Sequence, residues 1–171
     1  MSATMTLRPA THGDLPRILA IYNHEVLHST VTADLEPQTL PARRQWLDDR
    51  LHAGLPVLVA DDAGEVAGWA ALSRYHTRPG YRFTVENSVY VDAARRGQGI
   101  GRQLLAALVD EAPRRGFRTI IAAVADQAEG DDNPSLRLHR AAGFTDAGRL
   151  RRVVYKLERW IDVVYLQKSV G

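Results

Sequence analysis

Hydrophobic and polar residues alternate along residues 82–91, and this period of two predicts a half-buried β-strand. The apolar face of this strand carries Phe83, Val85, Val89 and Val91. The opposite face carries Arg82, Thr84, Glu86, Ser88 and Tyr90. From residue 100 the period lengthens to that of a helix, which predicts an amphipathic helix with one core-facing stripe. The stripe consists of Ile100, Leu104, Leu105, Leu108, Val109 and Ala112.

Strand and helix patterns also follow one another along the rest of the chain. Apolar runs predict strands at residues 5–8, 56–60, 66–73, 119–125, 144–156 and 162–168. Helices are predicted after Asp14 and Pro16, at residues 41–52, and between the N-cap pair Asn133-Pro134 and Gly143. We find no repeat, low-complexity tract or linker, so this order predicts one mixed α/β (α+β) domain over residues 1–171.

The glycine-rich run Arg96-Gly97-Gln98-Gly99-Ile100-Gly101 joins the alternating strand to the amphipathic helix. Glycine allows positive φ and close approach of a ligand, and the first turn of a helix presents unpaired N–H groups at its positive end, which favours anions. Arg95 and Arg102 add positive charge. The order differs from the GxGxxG of dinucleotide folds and from the P-loop, so the run by itself leaves open an anion site or an ordinary tight turn.

Charge and composition narrow the class of protein. The formal net charge is +2, and no basic stripe is interleaved with aromatic residues, so we expect no nucleic-acid partner. The absence of cysteine rules out disulfides, thiolate zinc sites and a cysteine acyl-enzyme, and we expect no metal. No apolar run approaches membrane-spanning length, and the first residues lack the pattern of a secretory leader, so we expect no membrane partner and a cytoplasmic location.

Glu86 is the candidate for proton transfer, because it lies in the middle of the alternating strand a few residues before the glycine-rich run. A carboxylate within hydrogen-bond distance of a substrate can act as a general base. Burial would have to raise the pKa of Glu86 for this role. The alternative is an ion pair with Arg82 on a solvated face of the strand.

The run Arg96-x-x-Gly99-x-Gly101 in this setting resembles the signature of the GNAT superfamily of N-acyltransferases. The resemblance implies a central mixed, mostly antiparallel sheet flanked by helices, and acetyl-coenzyme A as co-substrate. It places the diphosphate on Arg96, Gly97, Gln98, Gly99, Ile100, Gly101 and Arg102. It places the pantetheine arm beside Val89, Tyr90 and Val91.

Further motifs are similar to the phosphinothricin and methionine sulfoximine acetyltransferase branch of GNAT. They are Thr84-Val85-Glu86-Asn87-Ser88-Val89-Tyr90-Val91, Ser135-Leu136-Arg137-Leu138-His139, Gly143-Phe144, Trp160-Ile161-Asp162, Ile21-Tyr22-Asn23-His24, Ser29-Thr30-Val31 and Glu36-Pro37. The resemblance implies direct transfer to a small amino-acid-like amine, with Glu86 as base, in a homodimer. For binding the carboxylate and tetrahedral head of such a substrate it suggests Thr30, His76, Arg78, Tyr81 and Arg82.

The resemblance leaves two roles open. His139 stands where most GNAT enzymes have a tyrosine proposed to protonate the leaving thiolate, and a catalytic and a structural role are both compatible with the sequence. Asn133 and Ser135 are expected beside the cofactor, although Asp132 occupies the usual asparagine position.

Two further parts of the chain depart from the family pattern. The acidic stretch at residues 126–132 is expected to reshape the cofactor exit, and Glu158 replaces a usual glycine where it would alter a dimer contact.

The sequence leaves two alternative functions open. One is an acetyltransferase that acts on another amine or a protein N-terminus, and the other is a non-catalytic acyl-coenzyme A sensor.

Overall fold

The computed structural model describes residues 5–127 and 132–171, which form one seven-stranded sheet with α-helices on both faces. The strands are β1 (Thr6–Pro9), β2 (Val57–Asp62), β3 (Glu65–Arg74), β4 (Thr84–Val91), β5 (Thr119–Asp126), β6 (Thr145–Lys156) and β7 (Arg159–Ser169). The helices are α1 (Leu15–His28), α2 (Leu40–His52), α3 (Ile100–Arg114) and α4 (Pro134–Ala141). Among these residues, no helix has both the length and the apolar character needed to cross a membrane.

The sheet has the order β1-β2-β3-β4-β5-β7-β6, and each neighbouring pair is antiparallel except β4 and β5. The parallel pair is short: it joins Thr84 to Thr119, Val85 to Ile120 and Glu86 to Ile121. Beyond Glu86 the two strands continue to Val91 and Asp126 without pairing with each other. We call the resulting gap in the sheet the β4–β5 opening.

Two apolar cores lie on the two faces of the sheet. On one face α3 and α4 pack against the strands through side chains such as Leu104, Leu108 and Leu136. On the other face α1 and α2 pack through Ile18 and Leu47. Full burial of a side chain of this size stabilises the fold by roughly 1.5–3 kcal/mol. The layered, mostly antiparallel fold expected from the sequence is confirmed.

All the predicted strands and α-helices are present, and two strands begin two or three residues away from the predicted position for local reasons. β4 begins at Thr84 rather than at residue 82, because Pro79–Tyr81 forms a 3₁₀ turn and the N–H of Arg82 donates to the carbonyl of Pro79. Phe83 therefore lies before the strand and is exposed, contrary to the predicted apolar face. β7 begins at Arg159 rather than at residue 162, because the chain reverses tightly over residues 157 and 158.

Candidate active site at the β4–β5 opening

The glycine-rich run forms the turn between β4 and α3. Gly97 and Gly99 have φ of 76° and 79°, a left-handed conformation that glycine adopts without strain. A Cβ at either position would meet nothing within 4 Å, so backbone conformation rather than space requires glycine there. The first helical bond of the segment joins the N–H of Gln103 to the carbonyl of Gly99. Within the described chain, the N–H groups of residues 96–102 have no acceptor, so they form a row of free donors at the positive end of α3.

Two of the arginines at this turn are held by carboxylates. Arg95 pairs with Asp62, and Arg96 pairs with the buried Glu25 of α1. The side chain of Arg96 is nevertheless about half exposed. The turn therefore offers an anion both backbone donors and partly free guanidinium groups.

From Thr84 onward, successive residues of β4 face opposite sides of the sheet, as the alternating pattern predicted. Val85 packs in the core with α3, and Val89 and Val91 pack against the same core. On the other face, the ring of Tyr90 stacks on Trp69 with ring centroids 4.8 Å apart. Glu86 lies on this second face, toward α1 and α2, at the point where β4 leaves β5.

Glu86 is partly buried, and burial raises the pKa of its carboxyl. Among the residues that the structure describes, no hydrogen bond or ion pair engages this carboxylate. The alternative ion pair with Arg82 is not formed: the Arg82 guanidinium lies 4.3 Å from the centre of the Phe83 ring and donates to the carbonyl of Pro79. A carboxylate with a raised pKa and no partner is suited to accept a proton.

His139 is buried on α4 and has hydrogen bonds at both ring nitrogens. Nδ1 lies 2.8 Å from the carbonyl oxygen of Ser135, and Nε2 lies 2.9 Å from the side-chain nitrogen of Asn87. Because a carbonyl oxygen only accepts, Nδ1 carries the proton and Nε2 accepts from Asn87. Burial lowers the pKa of His139, which favours the neutral ring. This geometry suits a residue that orients Asn87 better than one that donates a proton.

The structure separates the five predicted substrate residues into two groups. Thr30 is buried and accepts a hydrogen bond from Gln127, which follows β5. Both line a cleft of about 320 Å³, whose other lining residues are His28, Ser29, Val31, Leu157 and Arg159. The second group lies in the exposed segment before β4 and consists of His76, Arg78, Tyr81 and Arg82. In the described parts of the chain, no hydrogen bond, ion pair or ring contact joins the two groups.

Asn133 and Ser135 have structural partners at the start of α4. The side-chain oxygen of Asn133 accepts from the N–H groups of Ser135 and Leu136, as an N-cap does, and its nitrogen donates to the carbonyl of Ala125. Asn133 therefore joins α4 to the end of β5. The predicted acidic stretch at residues 126–132 lies largely outside the described residues. In the parts that are described, no three metal-binding side chains cluster.

Two residues important to this site were not singled out from the sequence. Glu25 lies on the apolar stripe of α1, between the buried residues Tyr22 and Val26, and a charge on such a stripe was the available signal. Asn87 lies on the apolar face of β4 between Val85 and Val89, where an amide was a comparable signal.

Comparisons with known proteins show the family to which the chain is similar. Residues 18–144 match the model of the Acetyltransferase (GNAT) family. The chain is 42% identical over 171 residues to the L-methionine sulfoximine/L-methionine sulfone acetyltransferase of Pseudomonas aeruginosa, covering 99% of this chain and 96% of that protein. It is 40% identical over 166 residues to the phosphinothricin N-acetyltransferase of Alcaligenes faecalis, covering 97% and 83%.

A solved structure gives the same result for the fold. The phosphinothricin acetyltransferase of Sinorhizobium meliloti, in complex with acetyl-coenzyme A, superposes with a TM-score of 0.91 at 36% identity, covering 100% of this chain and 90% of that one. Acetyl-coenzyme A is thus bound by a relative with this fold.

Proposed function

The chain belongs to the GNAT acetyltransferase family and is an acetyl-coenzyme A dependent acetyltransferase, and from that premise we propose that it acetylates the amine of a small amino acid of the phosphinothricin, methionine sulfoximine or methionine sulfone type. The observation that carries this proposal is Glu86: its partly buried carboxylate has no partner among the described residues, and it lies beside the opening in the sheet, ten residues before the row of free N–H groups begins. The named activities of the relatives supply the substrate class.

The turn would bind the co-substrate through its diphosphate, with the N–H groups of residues 96–102 as donors. The unpaired edge of β4 at Val89, Tyr90 and Val91 would lie along the pantetheine arm. Acetyl-coenzyme A supplies an acetyl thioester, which is activated toward amines. The residues of this chain would act on it as hydrogen-bond donors and a base, and a cysteine acyl-enzyme is excluded because the chain has no cysteine.

Glu86 would accept the proton that the acceptor ammonium must lose before the amine can attack. The amine nitrogen then bonds to the acetyl carbon, the bond from that carbon to sulfur breaks, and the leaving thiolate takes up the further proton that the nitrogen loses as the amide forms. Backbone N–H groups near Val91 would polarise the acetyl carbonyl. Both substrates are bound at once, so the transfer is direct.

Recognition of the acceptor would use cationic and hydroxyl groups. Arg78 and Arg82 are suited to a carboxylate, since guanidinium groups bind carboxylates through two parallel hydrogen bonds. His76 and Tyr81 lie beside them with ring centroids 4.9 Å apart, and Thr30 supplies a hydroxyl at the cleft near β5.

We also propose a homodimer. The hairpin of β6 and β7 exposes large apolar side chains that a monomer would leave in water. They are Val153, Tyr155, Leu157 and Trp160, each about half exposed.

The test is coenzyme A release from acetyl-coenzyme A in the presence of single acceptors. The panel contains methionine sulfoximine, phosphinothricin, methionine sulfone, ordinary amino acids, a polyamine and a peptide with a free N-terminus. We expect turnover of the first three only. Turnover confined to the other amines would overturn the substrate class, and binding of acetyl-coenzyme A with no turnover would favour a sensor.

A further inference from the structure

Glu25 is a buried carboxylate that the reaction above does not use. It is 3% exposed and lies in the last turns of α1. Its oxygens accept a hydrogen bond from the hydroxyl of Ser29 at 2.6 Å and form the ion pair with Arg96. A buried carboxylate is tolerated in a fold when hydrogen bonds and an opposite charge of this kind compensate for its lost solvation.

The partner of Glu25 belongs to the turn of residues 96–102 between β4 and α3, which we call the cofactor turn because it would bind the diphosphate. One terminal nitrogen of Arg96 contacts Glu25, the Arg96 side chain is about half exposed, and its backbone belongs to the row of free N–H groups. If Arg96 moved away to an anion, Glu25 would lose its only ion pair in the described chain and stay buried with Lys156 as another cation that interacts with it.

The end of α1 also contacts the other side of the β4–β5 opening. The ammonium of Lys156, at the end of β6, donates to the carbonyl of Thr32 at 2.8 Å and lies 3.4 Å from the carbonyl of Glu25. Thr30 contacts Gln127 after β5. The segment from Glu25 to Thr32 therefore contacts the cofactor turn on one side, and Gln127 after β5 and the last residue of β6 on the other.

We propose that Glu25 is a positioning residue for the cofactor turn: by pairing with one terminal nitrogen of Arg96, it keeps the N–H groups of the turn directed at the diphosphate and joins the turn to the other side of the β4–β5 opening. This inference rests on the proposed use of acetyl-coenzyme A. The competing interpretation is that Arg96 leaves Glu25 to bind phosphate, in which case Glu25 competes with the ligand.

The two interpretations predict opposite signs for Glu25→Gln. If Glu25 positions Arg96, the neutral amide holds the guanidinium less firmly and acetyl-coenzyme A binds more weakly. If Glu25 competes with phosphate, the substitution frees Arg96 and binding becomes tighter. Removing a charged hydrogen-bond partner typically has an effect of about 5-fold or more on an equilibrium constant.

The experiment is calorimetric titration of acetyl-coenzyme A into wild-type protein, Glu25→Gln, Arg96→Gln and the double variant. We expect each single variant to raise Kd at least about 5-fold and the double variant to be no weaker than the weaker single variant, since both remove one interaction. Steady-state kinetics should show a raised KM for acetyl-coenzyme A with little change in kcat. Glu36→Gln, an exposed carboxylate just after this segment, is the matched control and should bind like wild type.

Tighter binding by Glu25→Gln, or additive losses in the double variant, would overturn the proposal. Should Glu25→Gln fail to fold, side-chain NMR of Arg96 in the wild-type protein decides, because its ion-paired resonances should persist when acetyl-coenzyme A is added, and their loss would contradict the proposal. If the wild-type protein does not bind acetyl-coenzyme A, the proposed function itself fails.

Discussion

Glu86 and Asn87 are neighbours in the chain, and their side chains leave β4 on opposite faces of the sheet. Glu86 is on the α1 and α2 side and has no partner among the described residues, whereas Asn87 is on the α4 side and donates to His139. A single step along the strand thus separates the candidate base from the amide that His139 orients. Substitutions at the two positions should therefore have different effects.

Replacing Glu86 tests the role of base. Glu86→Gln should bind acetyl-coenzyme A normally and lose at least about 100-fold in kcat, the usual contribution of a general base. In the wild type the ionised carboxylate is the active form, so activity should rise with pH through the pKa of Glu86. Because burial raises that pKa, the rise should come at higher pH than for an ordinary glutamate.

The pH–rate profile of Glu86→Gln is the check on this assignment, and that profile should lack the acidic limb. Thr84→Val, a neutral change on the same face of β4, is the control. A Glu86→Gln variant that keeps the limb and the wild-type kcat would remove Glu86 from the mechanism.

His139 provides a second test at this scale. We expect ¹⁵N NMR of the wild-type protein at neutral pH to show a protonated Nδ1 and an unprotonated Nε2, because Ser135 accepts from the first and Asn87 donates to the second. His139→Phe should then lower activity without changing the shape of the pH–rate profile. A protonated Nε2, or the loss of a basic limb in His139→Phe, would assign His139 the role of proton donor.

At the scale of elements, the turn between β6 and β7 carries backbone strain. Leu157 and Glu158 have φ of 50° and 60°, and neither residue is a glycine. Two consecutive positive φ values suit the tight hairpin turns that favour Asn-Gly, and a side chain there costs roughly 1 kcal/mol or more. The departure noticed in the sequence at Glu158 is thus a strained position in the fold.

Glu158→Gly should relieve part of that strain. We expect the free energy of unfolding to rise by about 0.5–1 kcal/mol, seen as a higher urea midpoint with an unchanged slope. Glu65→Gly, at the start of β3, is the control and should lower stability by a similar amount, because glycine is unfavourable in a strand. A lower midpoint for Glu158→Gly would contradict the assignment of strain.

Local features of the sequence predicted the elements well where one residue determines the conformation. The glycines of the cofactor turn predicted the junction before α3, and Asn133 and Gly143 predicted both ends of α4. The sequence could not predict that β4 and β5 pair over only three residues, because strand pairing depends on distant parts of the chain. For the same reason it could not predict that Arg96 pairs with Glu25, 71 positions away.

At the scale of the whole molecule, the apolar face of the β6–β7 hairpin tests the homodimer. We expect light scattering after gel filtration to give twice the mass of the chain. Val153→Glu should give the mass of one chain, because burying a charge in the proposed apolar interface is costly. Leu51→Glu places the same charge at an equally exposed leucine of α2 and should remain dimeric. A monomeric wild type, or a dimeric Val153→Glu, would overturn the assignment.

At the β4–β5 opening, the edge of β4 that faces β5 is not paired with it beyond Glu86, although β4 lies in the middle of the sheet. Exposed strand edges are usually protected by lysine, proline or a bulge, but the stretch Asn87-Ser88-Val89-Tyr90-Val91 contains no lysine or proline, and its pairing with β3 is regular. Such an edge can form main-chain hydrogen bonds with a ligand that carries amide groups of its own, as the pantetheine arm does. We expect recognition along this edge to depend on main-chain hydrogen bonding, so that side chains there can vary while the same type of acyl donor is bound.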